Sequence, residues 1–317
     1  MSDDFEELTH DVVDPDDFGA RADVVVGRRM SGISRRVARS LGLQGRLYLD
    51  GKKITPSTRV KEGSRVSLRV QRTVAAQPAR ILECTDDFVY VLKPAGMHTQ
   101  RLRPGDAATL ADAVALDYPE CRRASPDPRQ GGAVHRLDRD TTGVVAFARS
   151  LDAWRRARDG FRARKVLKLY RAQVQPGPEA PTWPPRGRDL SDVGEEPPTG
   201  SWPALTGPGV MISAPLGAAG RRLVEVRDSG RLAITHAWSL PGSTPTRQNL
   251  VLRLVTGHRH QARVHLRWLD RPIVGDALYG GPKADSMRLH ATTLDLGGAC
   301  PGEPRVEVPV PEIWEEA

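Results

Sequence analysis

The sequence predicts an α+β protein in which a small helix-and-ribbon unit precedes a sheet-rich core. Short apolar runs such as Phe88-Val89-Tyr90-Val91-Leu92 and Val144-Val145-Ala146-Phe147 are bounded by Gly or Pro, as buried strands are. Two other stretches, after Ser34 and after Ser150, space their apolar residues helically behind a capping hydroxyl. The texture changes near residue 81, after TVAAQPAR, which reads as a linker over 73–80.

The leader 1–20 holds eight acids and no Lys or Arg, with few large apolar side chains, and is expected to be a disordered tail. Residues 21–72 form the small unit. Val37, Ala38 and Leu41 make the apolar stripe of its helix, with Arg35, Arg36 and Arg39 on the polar side. Leu47, Leu49, the turn Asp50-Gly51, Ile54, Val60, the turn Glu62-Gly63, Val66, Leu68 and Val70 then alternate as ribbon strands. The core spans 81–317. In the helix after Ser150, Leu151, Trp154 and Phe161 face inward while Arg155, Arg156, Arg158 and Arg162 face away. Residues 176–208 hold nine of the 26 prolines and read as an inserted surface loop without chemistry of its own.

Composition narrows the function. Of 39 acids, eight lie in the leader, leaving 31 against 47 Lys and Arg, so residues 21–317 carry a net +16. Such an excess favours a polyanionic partner, because each cation placed on a phosphate releases condensed counterions. No apolar run approaches the ~20 residues that cross a bilayer. The acidic amino terminus is neither a secretory nor a mitochondrial signal, and the expected compartment is the cytoplasm. Cys84, Cys121 and Cys300 are far apart, which suggests neither a disulfide framework nor a thiolate metal site. Walker, dinucleotide-binding, zinc-protease and serine-hydrolase motifs are missing.

Two segments concentrate reactive side chains. In 131–150, His135-Arg136-Leu137-Asp138-Arg139-Asp140 sits on a loop entering a buried strand, where cations can keep a carboxylate ionised. Asp138 or Asp140 could equally cap the turn before Thr141-Thr142-Gly143. In 252–281, Gly257 breaks a strand and a helix is expected from about Arg259 to Trp268. It would set Arg259, Arg263 and Arg267 on one face as a phosphate or carboxylate reader. His258, His260 and His265 lack a fixed acidic third ligand, so no metal is expected.

HRLDRDTTG resembles the H-R-L-D-x-x-T-S-G signature of the RluA-type pseudouridine synthases. Further landmarks follow in family order over residues 81–317, about three quarters of the chain: Lys93-Pro94-Ala95-Gly96, Lys168-Leu169-Tyr170-Arg171-Ala172, Ala214-Pro215-Leu216, Ala233-Ile234-Thr235, TGHRHQARVH, PIVGDALYGG and Leu289-His290-Ala291. Residues 21–72 resemble a small ribosomal-protein-like RNA-binding domain, through Gly45-Arg46-Leu47-Tyr48-Leu49-Asp50-Gly51-Lys52. Asp50 stands there for Asn, and the usual Arg-Leu-Asp opening is missing.

The resemblance implies a mixed, largely antiparallel sheet with flanking helices and an RNA isomerase that detaches uracil from ribose and rejoins it through carbon 5. No cofactor and no metal are implied. Asp138 would start glycosidic-bond cleavage, Arg263 would pair with it, and Tyr170 would stack on the base and assist proton removal from carbon 5. Arg136 would fill the space of the flipped base, and Val264 would pack its other face. His135, Arg259, His260 and Gln261 would complete the substrate contacts, while Arg35, Arg36, Arg39 and Lys52 would meet RNA from the small domain. His258, Ala262 and Thr142 depart from the family residues Arg, a branched apolar residue and Ser. The expected substrate is structured RNA, first large-subunit ribosomal RNA and then transfer RNA, acted on by a monomer. A non-catalytic RNA- or ribosome-binding homologue, or a hydrolase using Asp138 and Asp140, would be the alternatives.

Overall fold

The computed structural model describes residues 5–30, 33–71, 78–102, 108–177, 188–244 and 246–314. The chain divides into two units, Met1–Gln77 with Arg101–Thr109, and Pro78–Gln100 with Leu110–Ala317.

In the first unit the chain runs β1 (Phe5–Asp11), α1 (Ala22–Arg29), α2 (Arg35–Leu43), β2 (Leu47–Leu49), β3 (Lys52–Lys53) and β4 (Arg65–Gln71). The sheet order is β1-β4-β2-β3. Strand β1 corrects the expectation of a disordered leader, because residues 5–11 pair antiparallel with β4. A seven-residue ladder holds it, with Leu8 packed on the core of this unit and the buried Val12 just beyond, and exposed ion pairs add to it. Asp11 takes the Arg65 guanidinium at 2.6 Å and Glu7 lies 3.7 Å from Arg69. Further on, the buried Asp17 holds Arg29 at 2.7 Å.

Helix α1 also lies outside the single-helix expectation. It opens on Arg21-Ala22-Asp23, in which only the middle residue departs from Arg-Leu-Asp, and Arg21 Nε donates to the buried Asp23 at 2.9 Å. The opening is therefore present, not missing. Ser34 accepts from the Val37 amide as the expected cap of α2. Asp50 and Gly51 both take positive φ, which makes the primed turn that suits a two-residue hairpin. Val25, Val26, Ala38, Leu41, Leu47 and Leu68 form the core of this unit. Arg35, Arg36, Arg39 and Lys52 are exposed on it.

The second unit contains β5 (Arg80–Cys84), β6 (Phe88–Lys93), α3 (Leu110–Asp117), β7 (Thr142–Ala148), α4 (Leu151–Arg162), β8 (Leu167–Val174), β9 (Arg188–Asp189), β10 (Thr206–Ala219), β11 (Leu223–Val226), β12 (Arg231–Ser239), β13 (Gln248–Leu254), α5 (Gln261–Trp268), β14 (Leu289–Asp295) and β15 (Arg305–Glu307). One sheet runs in the order β11-β10-β12-β13-β8-β14-β7-β6-β5, with β15 paired to β14 and β9 to β10. Only the β14–β7 pairing is parallel among these strands, so the sheet is mixed and largely antiparallel.

Alternation along β6 and β7 buries both sheet faces. Val89, Val91, Val145 and Phe147 join one apolar cluster, and Phe88, Tyr90, Val144 and Ala146 join another. Gly143 takes φ +122°, and a Cβ there would meet the Ala291 backbone at 2.2 Å, so glycine is required where β7 meets β14. Ser150 caps α4 through the Ala153 amide at 3.1 Å.

The Pro-rich segment is tied down more than expected. Residues 178–187 lie outside the described residues, as do residue 72 and 73–77 of the linker. Beyond them β9 pairs with β10, Leu190 is buried, Glu195 pairs with Arg253 at 3.0 Å, and β10 begins at Thr206. An apolar side chain and an ion pair anchor a stretch whose composition alone reads as loop.

Candidate active site

Strands β7 and β8 flank β14 in the sheet, and the loop entering β7 carries the HRLD residues. That loop is fixed at successive points. Ala146 N–H donates to His135 Nε2 at 3.2 Å, Leu137 N–H donates to Thr99 Oγ1 at 3.1 Å, and Arg139 Nε donates to the Gly96 carbonyl at 2.9 Å. Asp138 lies between the last two anchors, its side chain 18% exposed. It faces a cavity of about 770 Å³ that also takes in Arg136, Lys168, Tyr170, His260 and Arg263.

The fully buried Lys93 braces the loop. Its ammonium donates at 2.7 Å to the carbonyls of Pro94, Met97 and Arg139, binding the KPAG turn to the HRLD loop. Burial lowers its pKa to about 7 against the pull of Asp140 and Asp138, while three acceptors suit the three protons of the charged form. Lys93→Met is expected to lower stability by about 3 kcal/mol, since it strands several buried carbonyls. A denaturation midpoint unchanged from wild type would show that the brace carries no stability.

Arg263 stands near Asp138, but its main partner is different. Its Nε and Nη2 make a bidentate pair with Asp276 at 2.7 and 2.8 Å, and only Nη1 reaches Asp138, at 3.4 Å. The guanidinium also lies 5.0 Å from the Tyr279 ring centroid. Burial depresses the Arg263 pKa, but Asp276 and then Asp138 more than offset it, so the guanidinium is locked in its charged form. Asp276 was not singled out by the residues, although it lies within PIVGDALYGG. It also caps the turn 277–279 through the Tyr279 amide.

Tyr170 projects from β8 into the same cavity. Burial, helped by Asp138, raises its phenol pKa, so the ring stays protonated. His260 begins α5 in a left-handed conformation, φ +57°. Val224 N–H donates to Tyr279 Oη at 3.1 Å, and the same hydroxyl is hydrogen-bonded to His260 Nδ1 at 2.7 Å. Burial holds this imidazole neutral, with a pKa of about 4. His135, stacked on Phe161 with ring centroids 5.3 Å apart, is held down by burial to about 3.

One expectation is corrected here. The three-arginine face does not form: α5 starts only at Gln261, Arg263 is buried, and Arg267 pairs with Asp270 at 3.3 Å. Arg259 precedes the helix and donates to the Arg221 and Arg222 carbonyls at 3.2 and 2.7 Å. Gln261 is a brace, its amide taken up by Thr256, His258, Ile234 and Thr235. Val264 turns into a cluster with Leu216, Val224, Ala233 and Tyr279. The histidines of this segment find hydrogen-bond partners: His258 the Leu232 carbonyl, His260 Tyr279 and His265 Thr235. Among the described residues no three His, Cys, Asp or Glu are grouped to hold a metal, and no helix is long and apolar enough to cross a membrane.

Residues 87–268 match the family described as RNA pseudouridylate synthase. The chain belongs to this family. Residues 21–66 match the S4 domain, so this synthase carries an RNA-binding module ahead of its catalytic unit. The ribosomal large subunit pseudouridine synthase D of Xanthomonas campestris pv. campestris is 32% identical, covering 96% of this chain and 90% of that protein. An uncharacterized RNA pseudouridine synthase of Chloroflexus aurantiacus is 31% identical, over 90% of this chain and 84% of that one. Among solved structures, human RNA pseudouridylate synthase domain containing 1 shares the fold at a TM-score of 0.52 and 22% identity, covering 75% of this chain and 85% of that one.

Proposed function

We propose that this synthase isomerises uridine to pseudouridine in large-subunit ribosomal RNA, acting in the cytoplasm as a monomer, with Asp138 starting the reaction. The observation that carries the reading is Asp138 in a basic cavity, beside an arginine clamped by a second carboxylate. The substrate RNA class rests on the relatives named as ribosomal large subunit enzymes.

In this reaction the bond from ribose carbon 1′ to uracil N1 breaks, a bond from carbon 1′ to carbon 5 forms, the carbon 5 proton leaves to solvent and N1 takes up a proton. Nothing is oxidised or reduced. Asp138 supplies the carboxylate, and Arg263 offsets the charge that a flipped base would otherwise desolvate. Tyr170 gives the base a stacking platform. Its raised pKa opposes a phenolate base, so the platform is its principal part. Neutral His260 lines the cavity as a hydrogen-bonding partner for the base edge. The exposed Arg136 is free to occupy the gap left in the RNA stack.

Lys168 adds a pH dependence. It lines the cavity, donates to the Thr256 carbonyl at 3.0 Å, and burial lowers its pKa to about 8. Its positive charge favours phosphate below that value and is lost as pH rises through it. RNA affinity is therefore expected to fall above pH ~8 and to lose that limb in Lys168→Met. A wild-type limb retained in the variant would assign the titration elsewhere.

Carbodiimide-adduct mapping of total RNA tests the substrate. In cells lacking this protein, a pseudouridine in large-subunit ribosomal RNA should vanish and return only with the wild-type gene. A lost site confined to transfer RNA would overturn the ribosomal assignment.

A further inference from the structure

Alternation along β8 sends Lys168 and Tyr170 to the catalytic cavity and Arg171 and Gln173 to the other side of the sheet. On that side lies a second cavity of about 600 Å³, walled by Trp202 and Trp314 and lined by Arg171, Arg247, Asn249 and Thr293 among others. Its volume is in the range of small-ligand sites.

The polar groups there are incompletely matched. Gln173 is 5% exposed and its Nε2 donates to the Trp314 carbonyl at 3.1 Å, yet its Oε1 has no partner among the described residues. Thr293, 2% exposed, likewise leaves its hydroxyl unmatched. Behind Trp314, Arg288 is 4% exposed, lies 5.9 Å from the ring centroid and has an unmatched Nη1. Burial and the neighbouring Arg247 lower the Arg288 pKa against the opposite pull of Asp285. The carboxylate lining this cavity, Glu307, is already engaged by Arg305 at 2.7 Å and Ser201 at 3.1 Å. Among the described lining residues Glu307 is the one carboxylate, so Arg247, two indoles and amide edges converge on this cavity.

We propose that this second cavity binds a nucleoside phosphate, with the base against Trp202 and Trp314 and the phosphate on the Arg247 side. Stacking suits any base, and the free acceptor of Gln173 faces the N–H groups that a base edge offers. The occupant is either a nucleotide of the RNA away from the modified uridine or a free nucleotide. The two share this chemistry.

The test titrates the full chain by calorimetry with each common nucleoside 5′-monophosphate and with a short uridine-free single-stranded RNA. Trp202→Ala and Arg247→Glu are expected to weaken binding about tenfold or more, whereas Asp138→Asn leaves it unchanged. Both side chains are partly exposed, and thermal melting checks that the variants fold. Binding of both probes assigns the site to an RNA strand, and binding of the monophosphates alone assigns it to a free nucleotide. No binding of either probe, or binding that neither variant weakens, overturns the proposal.

Discussion

Asp138→Asn is expected to abolish pseudouridine formation, by about 10⁴-fold or more, while RNA affinity stays within about twofold of wild type. The substitution keeps the size of the side chain and its place between the Thr99 and Gly96 anchors, so the loop is undisturbed. It removes the charged oxygen that Arg263 meets at 3.4 Å and with it the ability to start glycosidic cleavage. Asp140→Asn provides the contrast. Asp140 is exposed, and its conversion should leave turnover within about twofold. Single-turnover kinetics on one RNA transcript measure both, and a reversed order would transfer the chemistry to Asp140.

The second large effect falls on a residue outside the HRLD loop. Asp276→Asn should destabilise the protein by about 3–5 kcal/mol, because it leaves a buried guanidinium without its bidentate partner. The freed fork of Arg263 would then turn towards Asp138, its other carboxylate neighbour, and hold that group out of position. A displacement of that kind costs about 100-fold in turnover. Arg263→Lys should lose turnover more than affinity, because an ammonium cannot grip Asp276 with two bonds and still reach Asp138. Urea denaturation and turnover measured on the same preparations separate the effects. Wild-type stability and turnover in Asp276→Asn would contradict the clamp, and equal losses of turnover and affinity in Arg263→Lys would make Arg263 a phosphate contact.

What the sequence revealed and what it hid divide along physical lines. The Ser34 and Ser150 caps, the Asp50-Gly51 turn and strand β7 are local, set by propensity and alternation within a few residues, and they stand where expected. Strand β1 is acidic and poor in apolar residues. It orders because β4, distant in sequence, supplies its ladder and its charge partners, which no local pattern contains. In the site, Asp138, Tyr170 and Arg263 come together as expected. The Asp276 clamp was hidden because it runs 13 residues from helix α5 to a turn, a separation that matches no helical or strand period. The Lys93 brace was hidden because backbone carbonyls carry no residue code. The expected arginine face failed because the left-handed His260 ends the helical register before Arg259.

Release of tritium from carbon 5 of labelled uridine tests the central claim most directly. Large-subunit ribosomal RNA, prepared from cells that lack the protein and labelled at that carbon, is incubated with purified enzyme and no added cofactor. Wild type is expected to release tritium to water up to a fixed stoichiometry, and Asp138→Asn to release none. Release by both proteins, or by neither, would contradict that claim.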